Sequence, residues 1–206
     1  MFFGVLLADQ IGLAGGEGEL ALPLLATQIL WINMVTDGAP ALALGVDPAD
    51  PGIMSQPPRA RGEGVITRSM WKGILLVGTV MAVGTLLVLD ASLPGGLIEG
   101  SGSLRYAQTM AFTTLVFFSL FTVFNARSDE RSAFAGAFAN RWLWGAIGLA
   151  LLLQAAVVHL PFLQVAFSTV SLGAGDWLLC AAVGSSVLWL REASKRIGRA
   201  RARAAC

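Results

Sequence analysis

Five apolar stretches of bilayer length dominate the chain, at about residues 20–46, 70–93, 106–126, 142–160 and 171–190. Each is close to the roughly 20 residues a helix needs to cross hydrocarbon. Only 13% of the 206 residues are charged and 55% are hydrophobic, against about 25% charged in an ordinary soluble domain. The expectation is an all-α membrane protein: a bundle of about five full transmembrane helices plus a partial one at the N-terminus. That partial helix, residues 1–14 ("MFFGVLLADQIGLA"), meets Asp9 and Gln10 too soon to span, and no Lys or Arg precedes it as a secretory signal would require. It reads as the outer end of a sixth helix whose beginning is missing, with a re-entrant or surface stub as the alternative.

Net charge is only +1, so the distribution of basic residues carries more information than their sum. Arg59, Arg61, Arg68 and Lys72 lie between the first two spans, and Arg127, Arg131 and Arg141 between the third and fourth. Arg191, Lys195, Arg196, Arg199, Arg201 and Arg203 follow the last. The intervening loops hold Arg105 and otherwise acidic residues such as Glu17, Glu19, Asp90, Glu99 and Asp176. By the positive-inside rule the chain starts outside and ends in the cytoplasm. The basic tail, residues 191–206, is then a topology anchor in reach of anionic membrane lipid, and no nucleic-acid partner is expected. Short loops and the lack of a separable targeting segment fit a multi-pass protein of a plasma membrane. Cys180 and Cys206 share no close-spaced metal or redox motif.

The longest polar connection, residues 47–69, is too short and too rich in Pro and Gly to bury a core of its own. Pro48, Pro51, Pro57 and Pro58 stiffen it, which suits a lever or docking surface, although an ordinary turn is the simpler reading. The third span carries Gln108, Thr109, Thr113, Thr114, Ser119, Thr122 and Asn125, polar groups suited to holding helices together. His159, beside Pro161, has no second ligand-type residue at helical spacing and reads as interfacial or structural. Trp142, Trp144, Trp177 and Trp189 sit at span ends, as an aromatic belt does.

The first span is different. "QILWINMVTDGAPALALGVDP", residues 28–48, places Asn33, Thr36 and Asp37 at mid-membrane, followed at once by Gly38 and Pro40. On an α-helix these three fall on one face, an amide oxygen, a hydroxyl and a carboxylate together. All are hard oxygen donors, which suit a cation such as Ca2+ better than a soft metal. Pro40 removes a backbone donor and Gly38 eases unwinding, so a helix break is expected here, freeing carbonyls as further ligands. The plainer alternative is a proline kink beside a protonated or hydrogen-bonded Asp.

The stretch "LLATQILWINMVTDGAPALALGVDPADPGIMSQPPR" resembles the sixth membrane helix and following cytoplasmic loop of type II P-type cation-transporting ATPases, the calcium-pump branch. The likeness rests on Asn33-x-x-Thr36-Asp37-Gly38 with Pro40, Ala43-Leu44-Gly45, Ile53-Met54 and Pro57-Pro58-Arg59. "AQTMAFTTLVFFSLFTVFNARSD" is similar to the family's eighth helix, so residues 1–206 correspond to the end of the fifth helix through the tenth. The resemblance implies a pump phosphorylated on an aspartate from ATP with Mg2+, with Ca2+ or Mn2+ as the transported ion. It makes Asn33, Thr36 and Asp37 ion ligands, and the loop from Asp47 to Arg59, with Pro57 and Pro58, the element that couples them to the phosphorylation domain.

No Asp-Lys-Thr-Gly phosphorylation motif occurs in the sequence. The resemblance therefore implies the cation-binding membrane half of a pump, a fragment without ATPase activity alone, partnered by a missing N-terminal catalytic portion. Ser119 stands where two-site calcium pumps have a glutamate, which implies one ion per cycle. The alternative is a non-transporting membrane scaffold or regulatory module derived from such a pump. Autonomous channel activity is a third and weaker reading, because Asn33 and Asp37 alone offer too few ligands.

Overall fold

The computed structural model of the chain describes residues 22–47, 68–94, 100–126 and 140–204. The N-terminal partial helix, most of the coupling loop including Pro57, Pro58 and Arg59, and the residues around Arg127 and Arg131 lie outside the described residues. Among the described residues every regular element is helical. The first span comprises α1 (Ala26–Ile32), a π-helical segment (Asn33–Gly38) and α2 (Ala39–Gly45) in direct succession. Then come α3 (Arg68–Asp90), α4 (Leu104–Ala126), α5 (Arg141–His159), the short α6 (Pro161–Phe167) and α7 (Ala174–Ala204).

Three helices among the described residues are long and apolar enough to cross a membrane unbroken: Met70–Asp90, Leu104–Ala126 and Arg141–His159. The other two expected crossings differ for local reasons. The first is divided by its π-helical segment into pieces of six or seven residues. The last, α7, has Asp176 in its first turn and runs on without interruption from its apolar part into the basic tail. The tail thus begins as packed helix: Glu192 and Lys195 are buried, while Arg196 is exposed and pairs with Glu192 at 3.6 Å.

Helix ends are set by identifiable groups. Leu25 is extended, and its N–H donates to Gln28 Oε1 at 3.1 Å, which opens α1. Asn140 caps α5 by accepting from the N–H groups of Trp142 and Leu143, and Pro161 occupies the first turn of α6, where a missing N–H costs nothing.

α4 is the central post. Residues 107 to 114 are buried without a break, whereas α3 and α5 each turn large apolar side chains such as Ile74, Leu75, Leu149 and Leu152 outward. A helix buried all round needs partners for its polar groups; several on α4 have them, while the Thr122 hydroxyl and the Asn125 amide have none among the described residues. Gln108 Nε2 donates to Leu22 O at 2.6 Å, Thr109 Oγ1 to Arg105 O at 2.7 Å, and Thr113 Oγ1 accepts from Gln154 Nε2 at 3.3 Å. The Gln154–Thr113 bond joins two helices, Thr109 bonds its own backbone, and Gln108 reaches the segment before α1. α4 packs chiefly on α7 and α3, and glycines allow the approach. At Gly184 of α7 an added Cβ would meet Phe117 Cβ at 2.6 Å and the Phe117 carbonyl carbon at 3.1 Å. At the other end of α4, Tyr106 Oη donates to Asp176 Oδ1 at 2.8 Å.

His159 is exposed at the last position of α5 and stacks on Trp177, centroids 6.3 Å apart, as an interfacial residue would. Trp142 and Trp144 are exposed in the first turn of α5, and Trp189 is exposed where the apolar part of α7 meets its basic part, consistent with an aromatic belt. Cys180 is buried with its thiol on Met110 O at 3.7 Å, and Cys206 lies outside the described residues.

The Gly184 contact involves Phe117 Cβ and backbone, which cannot swing aside. Gly184→Val is expected to separate α4 from α7 and lower stability by about 1–3 kcal/mol. Gly78→Ala, where nothing lies within 4 Å, should leave stability unchanged or raise it by up to about 1 kcal/mol. Thermal unfolding of the two variants in the same detergent, followed by tryptophan fluorescence, compares them directly.

Candidate cation site

The site begins with a missing hydrogen. Pro40 has no N–H, and in a regular α-helix its ring would press on the carbonyl of Thr36, four residues back. The structure answers with a change of helix type over Asn33–Gly38 rather than an unwound gap. Dihedrals stay right-handed throughout, with Asn33 at φ −58°, ψ −38° and Gly38 at φ −63°, ψ −58°. The break expected at Gly38 and Pro40 is therefore a widened turn. A wider turn spreads successive carbonyls, and such segments frequently accompany functional sites.

The change redistributes the three polar side chains. A π-helix turns less per residue than an α-helix, so residues four apart stay nearly aligned while residues three apart swing away from each other. Asn33 and Asp37 are both exposed, whereas Thr36 is fully buried with its hydroxyl donating to Ile32 O at 2.6 Å. Of the three, Asn33 and Asp37 therefore face outward and Thr36 inward. The Thr36 oxygen keeps its acceptor lone pairs while that proton is engaged.

Asn33, Thr36 and Asp37 nevertheless line one cavity of about 520 Å³, together with Pro40. Its other wall is α4, which contributes Ser119 and Thr122, and α3 adds Met81. Ser119 and Thr122 are three residues apart and so on one side of α4. The Thr122 hydroxyl is buried with no hydrogen-bond partner among the described residues. The polar lining is therefore one carboxylate, one amide and three hydroxyls, all hard oxygen donors that suit a small divalent cation. Among the described residues no group of three or more His, Cys, Asp or Glu side chains could hold a metal. A cation here would be held by one negative charge and neutral oxygens.

Of the coupling-loop residues singled out from sequence, Asp47 alone is described, and its N–H donates to Leu44 O at 3.0 Å just beyond α2. Sequence reading missed the groups that hold the first span in place. Gln28 is fully buried and donates from Nε2 to Phe167 O at 3.1 Å. Trp31 Nε1 donates to Gln154 Oε1 at 3.2 Å, and Trp31 packs edge-on against Phe167 with centroids 5.0 Å apart. Asn140 Nδ2 donates to Ala43 O at 2.7 Å. The available signal was an amide inside an apolar run, as at Gln28 and Gln154, which needs a partner wherever it is buried.

A family model described as "Cation transporting ATPase, C-terminus" matches residues 21–197. "Calcium-transporting ATPase 1" of Yarrowia lipolytica is 40% identical over 174 residues, which is 84% of this chain and 18% of that protein. "Calcium-transporting ATPase type 2C member 2" of Mus musculus is 40% identical over 179 residues, 86% of this chain and 18% of its own length. "Calcium-transporting ATPase" of Bacillus subtilis is 39% identical over 160 residues, 78% of this chain and 18% of its own length. The chain thus spans 18% of the length of these curated relatives. With the matched region running from before α1 into the far part of α7, and with three apolar helices of membrane length among the described residues, the chain is a multi-pass membrane protein belonging to the C-terminal family of the cation-transporting ATPases.

Proposed function

We propose that this chain is the cation-binding membrane half of an ATP-driven Ca2+ transporter, with Asn33, Thr36 and Asp37 as ligands of the transported ion. The carrying observation is the cavity that joins Asp37, Asn33 and Thr36 to Ser119 and Thr122 across two helices. Ca2+ takes six to eight oxygens, so the side chains of this cavity supply part of a shell. The remaining ligands come from backbone carbonyls of the widened turn or from the rest of the transporter. Names of relatives that transport calcium support Ca2+ as the cargo. Mn2+ meets the same donor chemistry, and selection between the two rests on cavity size and rigidity.

ATP and Mg2+ act through a catalytic portion with the phosphorylation motif that these 206 residues do not contain. The loop from Asp47 to Arg59, stiffened by Pro57 and Pro58, carries displacement between that portion and α2. The protein resides in the plasma membrane with the basic end of α7 in the cytoplasm, as the alternation of basic loops supports.

Inside-out vesicles from cells carrying Asp37→Asn at the chromosomal locus are expected to lose ATP-driven 45Ca uptake down to the level of a deletion strain. Uptake at the parental level would overturn the proposal. Asn33→Ala, which removes a neutral ligand only, should raise the Ca2+ concentration for half-maximal uptake about tenfold, equivalent to about 1.4 kcal/mol. With Ser119 in place of a second carboxylate, the ratio of Ca2+ transported to ATP hydrolysed should approach one in tightly sealed vesicles, and a ratio near two would contradict the single-ion reading.

A further inference from the structure

Both ends of the first span are held by buried amides of one neighbouring helix. Trp31, on α1, donates to Gln154 of α5 at 3.2 Å, and Gln154 is fully buried and donates onward to Thr113 of α4. At the far end Asn140, 3% exposed, donates from Nδ2 to the Ala43 carbonyl of α2 at 2.7 Å. Residues 140 and 154 are roughly 20 Å apart along a helix, and residues 31 and 43 roughly 18 Å. The π-helical segment with Asn33 and Asp37 lies between these two attachments.

Asn140 uses both ends of its amide. Oδ1 accepts from Trp142 N at 3.0 Å and Leu143 N at 3.1 Å, which caps α5. Nδ2 serves Ala43, in the last turn of α2, where carbonyls lack a helical donor. The nearby Asp47 N–H is turned to Leu44 O, three residues back. Capping alone does not require an amide, since Asp or Ser caps as well as Asn. An ionised Asp only accepts, and Ser is too short to span the same two partners. The donor function of Asn140 therefore exceeds what α5 needs for its own start.

We infer that Asn140 is a positioning residue for the cation site. By anchoring α2 to α5 through the Ala43 carbonyl, it sets where Asn33 and Asp37 stand in the cavity. It is also the fixed point about which a displacement arriving at Asp47 turns the ion-bearing segment. Gln154, through Trp31, holds the opposite end, so movement is confined to the widened turn. This inference rests on the reading of Asn33 and Asp37 as ion ligands.

The test uses Asn140→Asp and Asn140→Ser at the chromosomal locus, both of which keep the α5 cap and lose the bond to Ala43. ATP-driven 45Ca uptake is measured against Ca2+ concentration in inside-out vesicles, normalised to the amount of chain in the membrane. Half-maximal uptake should need about fivefold to tenfold more Ca2+ in both, the equilibrium change an ordinary buried hydrogen bond carries. Maximal uptake per chain should stay within about twofold of the parent. An unchanged half-maximal concentration, with or without a lower amount of protein, makes Asn140 a helix cap only and overturns the inference. Failure of both variants to reach the membrane makes it a folding residue, with the same consequence. If Asp37→Asn abolishes uptake while the Asn140 variants keep parental affinity, this inference falls and the cation reading stands; if Asp37→Asn keeps full uptake, both fall.

Discussion

Hydrocarbon offers no water to a carbonyl that has lost its hydrogen bond, so each one in a membrane helix must be satisfied by the protein itself. Pro40 imposes that problem in the middle of the first span, because it lacks the N–H that an α-helix would supply. The helix widens over Asn33–Gly38, and the Thr36 hydroxyl turns inward onto Ile32 O. The same demand at the end of α2, where helical donors run out, is met by the Asn140 amide on Ala43 O. Asn33 and Asp37 remain on the outside of the widened turn as its two free-facing polar groups. Thr36 braces the backbone with its proton and still lines the same cavity as Asn33 and Asp37.

The second wall of the cavity depends on α4, which is central because its neighbours pack on it from several sides. Gln108, Thr109 and Thr113 are hydrogen-bonded, while Ser119 and Thr122, whose hydroxyl has no partner among the described residues, line the cavity. A site with one carboxylate and several neutral oxygens binds a divalent ion with less electrostatic pull than a multi-carboxylate cage, and ligand charge is one of the main controls on affinity. Under the proposed reading, weak binding is an advantage, since an ion in transit has to leave as well as arrive.

Much of this was legible before any coordinates. Runs of membrane length and a low charge content select helices that cross a bilayer, and the Asn33-Thr36-Asp37-Gly38 pattern with Pro40 marks the one span that is not simple packing. The family likeness read from the same residues agrees with the matched family and relatives. Helical spacing put Asn33, Thr36 and Asp37 together, and they line one cavity, but it did not show that Thr36 would be buried on a π-helical backbone. Spacing rules describe a face only for the helix type they presuppose. Polar residues within α4 could be named as holding groups from sequence, but which would be satisfied and which left at a cavity could not.

Local chemistry by itself determined the number and approximate limits of the apolar runs, the place of the disturbed turn and the oxygen character of its side chains, since each follows from residue type and order along the chain. Tertiary structure decided what those residues meet. The pairing of Ser119 and Thr122 with Asp37, and the bonds from Gln154 to Trp31 and from Asn140 to Ala43, join positions 82 or more apart in the chain for the α4 wall and 97 apart for the last clasp. No local rule reaches that far. Such contacts exist only after α4 and α5 have packed against the first span, where burial obliges each amide and carbonyl to find the nearest available partner.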